Sequence, residues 1–133
     1  MKHVNSAFFA FVFAFIPSAV LGQQLGLNNS VAINITTTGP LTTQIVAFAG
    51  VTSIYVTSFN VIAGNIGTIT FEYGTGTNCG VGTTALTGAY PFVANGGVSV
   101  GSGVGAVLKA PSGTSLCIVT TAPMAGSVSY LQF

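Results

Sequence analysis

Apolar and polar residues alternate along short stretches of this chain, and a period of two is typical of β-strands. Val31, Ile33 and Ile35 lie on one face of the first such stretch, with small or polar residues between them. Residues 66–73 alternate in the same way, which predicts that the carboxylate of Glu72 faces solvent. Gly, Pro, Asn and Ser separate the stretches at short intervals, and no helical period lies between them.

The spacing of these stretches predicts about eight short strands. Such a series favours an all-β fold, an antiparallel β-sandwich of jelly-roll type, with an up-and-down barrel as the alternative. Residues 74–84 are rich in Gly, Thr and Asn, which predicts a long loop. The segments with strand character are residues 31–36, 44–49, 52–63, 66–73, 85–92, 98–100, 104–109, 115–120 and 126–133.

The longest of these segments, residues 52–63, carries large apolar side chains on both of its faces. Strict alternation divides them into an even-numbered and an odd-numbered set: Ile54, Val56 and Ile62, and Tyr55, Phe59 and Val61. A sandwich strand needs only one apolar face for its own core, and the other must be covered by a loop, by the N-terminal segment or by another subunit. Because so few charges oppose association, the sequence favours another subunit, and each set is a candidate self-association face.

Residues 7–21 form a continuously apolar or small segment that follows Lys2 and His3. A basic start, an apolar run and a small-residue exit before Gln23 are typical of a secretory signal peptide. As a helix the run would span about 22 Å, less than the roughly 30 Å of a bilayer core. We therefore expect residues 1–22 to be a cleaved signal peptide, or else an uncleaved anchor or N-terminal helix. Residues 23–133 are then one exported β-sandwich domain with no stable membrane span.

Charged residues are almost absent: they make up only 2% of the 133 residues, whereas half of the residues are apolar. The sequence has no Asp and no Arg, and its charges are Lys2, Lys109 and Glu72, with His3 as the one histidine. Acid–base dyads and Ser–His–Asp sets cannot be assembled from this inventory. Ligands for a metal and a basic patch for nucleic acid are missing as well. We expect a protein that is not an enzyme and takes no metal, cofactor or nucleic acid.

Cys79 and Cys117 are an even pair in a chain with an export-like start. They are 38 positions apart, lack CxxC spacing and have no basic neighbour, so a structural disulfide is favoured over a redox pair. Asn28 and Asn34 each begin an N-glycosylation pattern, which an Asn- and Thr-rich chain produces readily by chance. Whether either is glycosylated stays open.

Four segments occur in order in the second half of the chain: YGTGTNCG (73–80), ALTGAY (85–90), APSGTSLC (110–117) and GSVSYLQF (126–133). With them, the chain from about residue 53 onward resembles a group of small, signal-bearing, two-cysteine proteins encoded by tailed bacteriophages and found in environmental sequences. The resemblance implies a phage-associated setting and a disulfide-linked β-sandwich. It implies no activity and transfers no functional residue.

Residues 23–133 contain one Lys and one Glu, so little electrostatic repulsion opposes association. We expect a structural or decoration component of a phage virion or extracellular assembly, whose partners are copies of itself or other virion or surface proteins. The alternative is a secreted module that binds cell-surface glycans. Its specific support is weak, because the chain has no Trp and its tyrosines are spread over four predicted strands: Tyr55, Tyr73, Tyr90 and Tyr130.

Overall fold

The computed structural model of the chain describes residues 29–36, 39–103 and 105–133. The expected signal peptide over residues 1–22 and the sequon residue Asn28 lie outside these ranges. Within the described ranges, no helix is long and apolar enough to cross a membrane. The described chain is built of strands, with one short 3-10 turn at Thr77–Cys79.

Ten strands are described where the sequence predicted about eight. Residues 85–92 were expected to form one strand, but only Tyr90–Phe92 form a strand of their own (β6), and Ala85 ends β5, most of which lies in the predicted loop. The second predicted strand, residues 44–49, begins three residues earlier than expected. The strands are β1 Asn29–Ile35, β2 Leu41–Val46, β3 Ile54–Ala63, β4 Gly67–Thr75, β5 Val81–Ala85, β6 Tyr90–Phe92, β7 Gly97–Gly101, β8 Leu108–Ala110, β9 Ser115–Thr120 and β10 Met124–Gln132.

The strands form two five-stranded antiparallel sheets. Sheet A has the order β1-β10-β3-β7, with β8 also paired to β3, and sheet B has the order β2-β9-β4-β5, with β6 also paired to β4. Strands β7 and β8 pair with successive parts of β3, and β5 and β6 with successive parts of β4. When each of these pairs is counted as one interrupted strand, the orders become 1-8-3-6 and 2-7-4-5. This is the jelly-roll connection of an eight-stranded sandwich, as the sequence predicted.

The hydrophobic core lies between the inner faces of the two sheets. The rings of Phe59 on β3 and Phe71 on β4 join the sheets, with centroids 4.7 Å apart. Burial of a side chain of this size stabilises the fold by about 2 to 3 kcal/mol. The buried apolar side chains are Ile33, Ile35, Val46, Ile54, Val56, Phe59, Val61, Ala63, Ile69, Phe71, Ala110, Leu116, Ile118, Ala122, Met124 and Val128.

A β-bulge in β3 overturns the expectation that this strand is apolar on both faces. Opposite β10, Ser58 pairs with Ser129 and Val56 with Tyr130, so Thr57 is an extra residue without a partner position. One extra residue shifts the alternation by one, and all later side chains change face.

The apolar residues before and after the bulge therefore share one face, the inner one. Exposure is 0% for Ile54 and Val56, 3% for Phe59 and 1% for Val61. The two-face prediction is wrong for these four residues, because the core already covers them. Of the six candidates only Ile62, 59% exposed, and the half-buried Tyr55 remain on the outer face of sheet A.

The predicted loop over residues 74–84 is instead a tight hairpin. Strand β4 continues to Thr75, the 3-10 turn follows, and β5 begins at Val81. Glycine at position 74 is required because a Cβ there would lie 2.7 Å from the carbonyl oxygen of Cys79. Gly74 therefore reflects the close approach of the turn to β4.

Candidate functional site

The predicted disulfide is present between Cys79 and Cys117, whose Cα atoms are 6.3 Å apart. Cys117 alternates along β9 with the core residues Leu116 and Ile118, so its side chain points to the outer face of sheet B. The 3-10 turn that carries Cys79 folds over this face and contacts β2, β4 and β9. Both cysteines are fully buried, which suits a structural crosslink and leaves no access for thiol exchange.

The residue before Cys79 also closes one edge of the sandwich. Asn78 has a backbone φ of 49°, a left-handed conformation that Asn tolerates better than most residues. Its side-chain oxygen Oδ1 accepts a hydrogen bond from the backbone N–H of Gln44 on β2, at 3.1 Å. The turn therefore provides an acceptor for the Gln44 N–H, a backbone donor of the edge strand β2.

Glu72 was expected to face solvent, and this prediction is wrong. It lies between Cys117 on β9 and Ala85 on β5, and only 9% of its surface is exposed. The turn and the neighbouring strands cover the outer face of β4 at this position. Desolvation by this burial raises the pKa of the Glu72 carboxyl above its ordinary value.

The described residues bring no catalytic or metal-binding set together. Glu72 is the only acidic residue of the sequence, and Lys109 lies in the other sheet, on β8. Within the described ranges, no three His, Cys, Asp or Glu side chains lie close enough to share a metal ion. General acid–base chemistry in the usual form needs a second titratable group, which Glu72 does not have here.

The part of the outer face of sheet A that runs from β1 to β7 is covered by short, uncharged side chains. Strand register places them in rows across four strands, and the longest are asparagines and Ile62. The Asn60 side-chain oxygen accepts a hydrogen bond from the Ser127 backbone N–H at 3.0 Å, which holds this side chain along the sheet. We call this surface the small-residue face; it consists of Ser30, Ala32, Asn34, Ser58, Asn60, Ile62, Gly97, Ser99, Gly101, Ala125, Ser127 and Ser129.

Three of the four sheet edges carry features that oppose pairing with another strand. The β7–β8 edge is interrupted and carries Lys109, and the β5–β6 edge is interrupted and carries Pro91. The β2 edge has a bulge between Gln44 and Val46 and is closed by Asn78. Interruption, lysine, proline and bulges are the usual protections of natural edge strands.

The fourth edge, β1, has none of these protections. Its seven residues contain no charge and no proline, and its register with β10 runs without a shift from Asn29 to Ile35. Within the described residues, no strand pairs with its other side. The sequence analysis did not identify this edge. The absence of charge and proline around Val31 and Ile33 was the feature that could have indicated it.

One exposed aromatic stack lies near the end of β10. The rings of Tyr55 and Phe133 are 4.5 Å apart and nearly parallel, at 8°. Lys109 Nζ lies 5.0 Å from the centre of the Tyr55 ring, and Phe133 is 69% exposed. The other tyrosines, Tyr73, Tyr90 and Tyr130, are half-buried and pack against the core. The exposed face of this stack is a patch and not the aromatic cleft expected of a sugar site.

An open cavity of about 400 Å³ lies at the opposite end of sheet A. Ile62, Pro123 and Ala125 supply part of its apolar lining, and Asn34 and Asn95 supply amide groups. Among the described residues that line it, none is charged. The cavity continues the neutral character of the small-residue face.

Comparisons of the chain with family models, with curated proteins and with solved structures found no match. The fold and its surfaces therefore carry the functional proposal.

Proposed function

We propose that this protein is a non-catalytic structural or decoration component of a virion or extracellular assembly, and that it acts by associating with copies of itself. The observation that carries the proposal is the uncharged small-residue face beside β1, the one edge strand of the described residues that lacks the protections of the other edges. Natural monomers protect long edge strands because an open edge is a template for pairing with another chain. An edge left open on an otherwise protected sandwich suits a protein that assembles.

The charge distribution supports the same function. Glu72 is buried on sheet B and Lys109 lies over Tyr55 on sheet A, so the small-residue face carries no charge. Contact between copies then separates no ion pair and meets no like-charge repulsion. The buried disulfide supports a setting outside the reducing cytosol. The phage setting is supported by the resemblance of the four segments named above.

Electron microscopy and sedimentation of the purified exported protein test the proposal. We expect dimers or larger assemblies at about 50 μM, the dissociation constant of a contact worth about −6 kcal/mol. Antibodies against the protein should also label particles in which it is incorporated. The proposal is contradicted if the protein stays monomeric at this concentration and the antibodies label no particle.

Glycan binding is the second candidate, and the exposed Phe133 ring is the observation that favours it. A ring face of this kind can pack against the apolar face of a sugar. Phe133→Ala should then abolish retention on immobilised host surface glycans, while Phe48→Ala, at another exposed phenylalanine, should leave retention unchanged. Absence of retention by the unsubstituted protein contradicts this candidate.

A further inference from the structure

We propose that β1 is the contact between copies, pairing antiparallel with β1 of a second copy across a two-fold axis at Ala32. This inference rests on the proposed self-associating function and names the surface that performs it. It replaces the faces of β3 that the sequence suggested, because the core covers four of their six residues.

The register follows from the pattern of side chains on β1. Val31, Ile33 and Ile35 point to the core, and Ser30, Ala32 and Asn34 point to the small-residue face. Ala32 is the middle residue of β1, so an axis there pairs all seven residues: Val31 lies opposite Ile33, Ser30 opposite Asn34 and Asn29 opposite Ile35. Val31 and Ile33 thus meet on the inner side, whereas a shift by one position would place them against residues of the outer face.

Backbone chemistry supplies the attraction in this arrangement. Alternate N–H and C=O groups of an edge strand point away from its one partner, and pairing over seven residues forms about six hydrogen bonds. Val31 is only half-buried in the single copy, and Ile33 of the second copy would cover it. The two sheets A then form one continuous sheet, and the two small-residue faces form one continuous surface.

A second copy fits this edge better than an unrelated strand does. The contact is isologous, so the one strand supplies both halves and its uncharged residues cannot repel each other. The only other occupant that the chain itself offers is the segment just before β1. The experiment below separates these two.

Ala32→Lys tests the axis directly. Ala32 is exposed on the outer side, so a lysine there leaves the single copy folded, with an unchanged melting temperature. In the dimer two lysine side chains would start from Cα atoms about 5 Å apart, and their like charges should weaken association several-fold. The matched control is Ser99→Lys, exposed on the same face but on β7. We expect the unsubstituted full chain and Ser99→Lys to dimerise with the same dissociation constant, and Ala32→Lys to dimerise with one that is several-fold higher.

Charge reversal and crosslinking test the register. A mixture of Ala32→Lys and Ala32→Glu chains should form a heterodimer, because opposite charges then meet on the axis. Ala32→Cys should form a disulfide between copies, since paired Cα atoms lie within the usual disulfide range. Asn34→Cys should form none, because Asn34 lies opposite Ser30 and not opposite itself.

Three results would overturn the inference. The first is an unsubstituted protein that sediments as a monomer. The second is an assembly that Ala32→Lys leaves intact, in which case the proposed assembly function stands and only the β1 contact fails. The third is a monomer that dimerises once residues 23–28 are deleted, which would show that the preceding segment occupies the edge. If the first result is found but antibodies still label particles, the β1 contact fails and the decoration function stands.

Discussion

Removal of the Cys79–Cys117 disulfide is expected to lower the free energy of unfolding by about 4 kcal/mol. The bond joins residues 38 positions apart, and the entropy of closing a loop of that length in the unfolded chain gives this value. Both cysteines are fully buried, so replacement by alanine also removes some packing. Most of the loss should come from the greater freedom of the unfolded chain.

Urea unfolding followed by far-ultraviolet circular dichroism measures the change, with the double variant Cys79→Ala/Cys117→Ala against the unsubstituted protein. With an m-value of about 1.5 kcal/mol/M, the midpoint should fall by about 2.5 M. Val119→Ala is the matched control, because Val119 shares the outer face of β9 with Cys117 but forms no crosslink. Its midpoint should fall by less than about 1 M, for the loss of two partly buried methyl groups.

A fall of less than about 0.5 M for the double variant would refute this reasoning, because it would mean that the unfolded chain already holds the two segments together. Burial gives an independent check. Reductant without urea should leave the disulfide intact, and reduction should begin only at urea concentrations that open the fold. Reduction of the folded protein by mild reductant would contradict the fully buried position of both sulfurs.

Three further outcomes are expected. Gly126→Ala should destabilise the fold by about 3 kcal/mol or more, because its Cβ would lie 2.0 Å from a backbone oxygen of β3. Gly88→Ala, with no atom within 4 Å, should change stability by less than about 0.5 kcal/mol in the same urea titration. Phe71→Ala should cost about 4 kcal/mol and Phe48→Ala, at a 45% exposed ring, about 0.5 kcal/mol, and equal costs would contradict the described core. Because burial raises the pKa of Glu72, its neutral form stabilises the fold fully below the ordinary pKa, and this contribution is lost as pH rises through the raised pKa. Glu72→Gln should therefore be more stable than the unsubstituted protein at pH 7 but not at pH 4, and a difference that does not depend on pH would contradict the burial.

The strand pattern of the sequence was sufficient for the fold class, because alternation and turn residues act locally. It could not locate the bulge at Thr57, since nothing in the residues around it departs from a regular strand. The bulge arises from the pairing of β3 with β10, which is a contact distant in sequence. The same limit explains Glu72. Alternation correctly placed its side chain on the outer face of β4, but the disulfide-linked turn that buries it is brought there by a contact distant in sequence.

The candidate surface was predictable only in part. Low charge led to the hypothesis of association, which stays a prediction, and the choice of surface depended on which strands lie at sheet edges. Edge position follows from strand order, and strand order is set by long-range pairing. Pro91 and Lys109 become recognisable as edge protections only when β6 and β8 are known to be edge strands.

The hydrogen bond between Asn78 and Gln44 also bears on how many neighbours a molecule could accept under the proposed β1 contact. Among the edges of the described residues only β1 lacks protection, so a molecule that pairs through it would be monovalent, and growth by sheet extension would stop at a pair. A second open edge would make it divalent, and divalent units polymerise end to end without a natural stop. Asn78 is adjacent to Cys79, so the disulfide that fixes the turn also keeps the β2 edge closed. Under the proposed β1 contact, loss of the disulfide would free the Gln44 N–H, and the bulge in β2 would be the remaining protection of that edge against pairing.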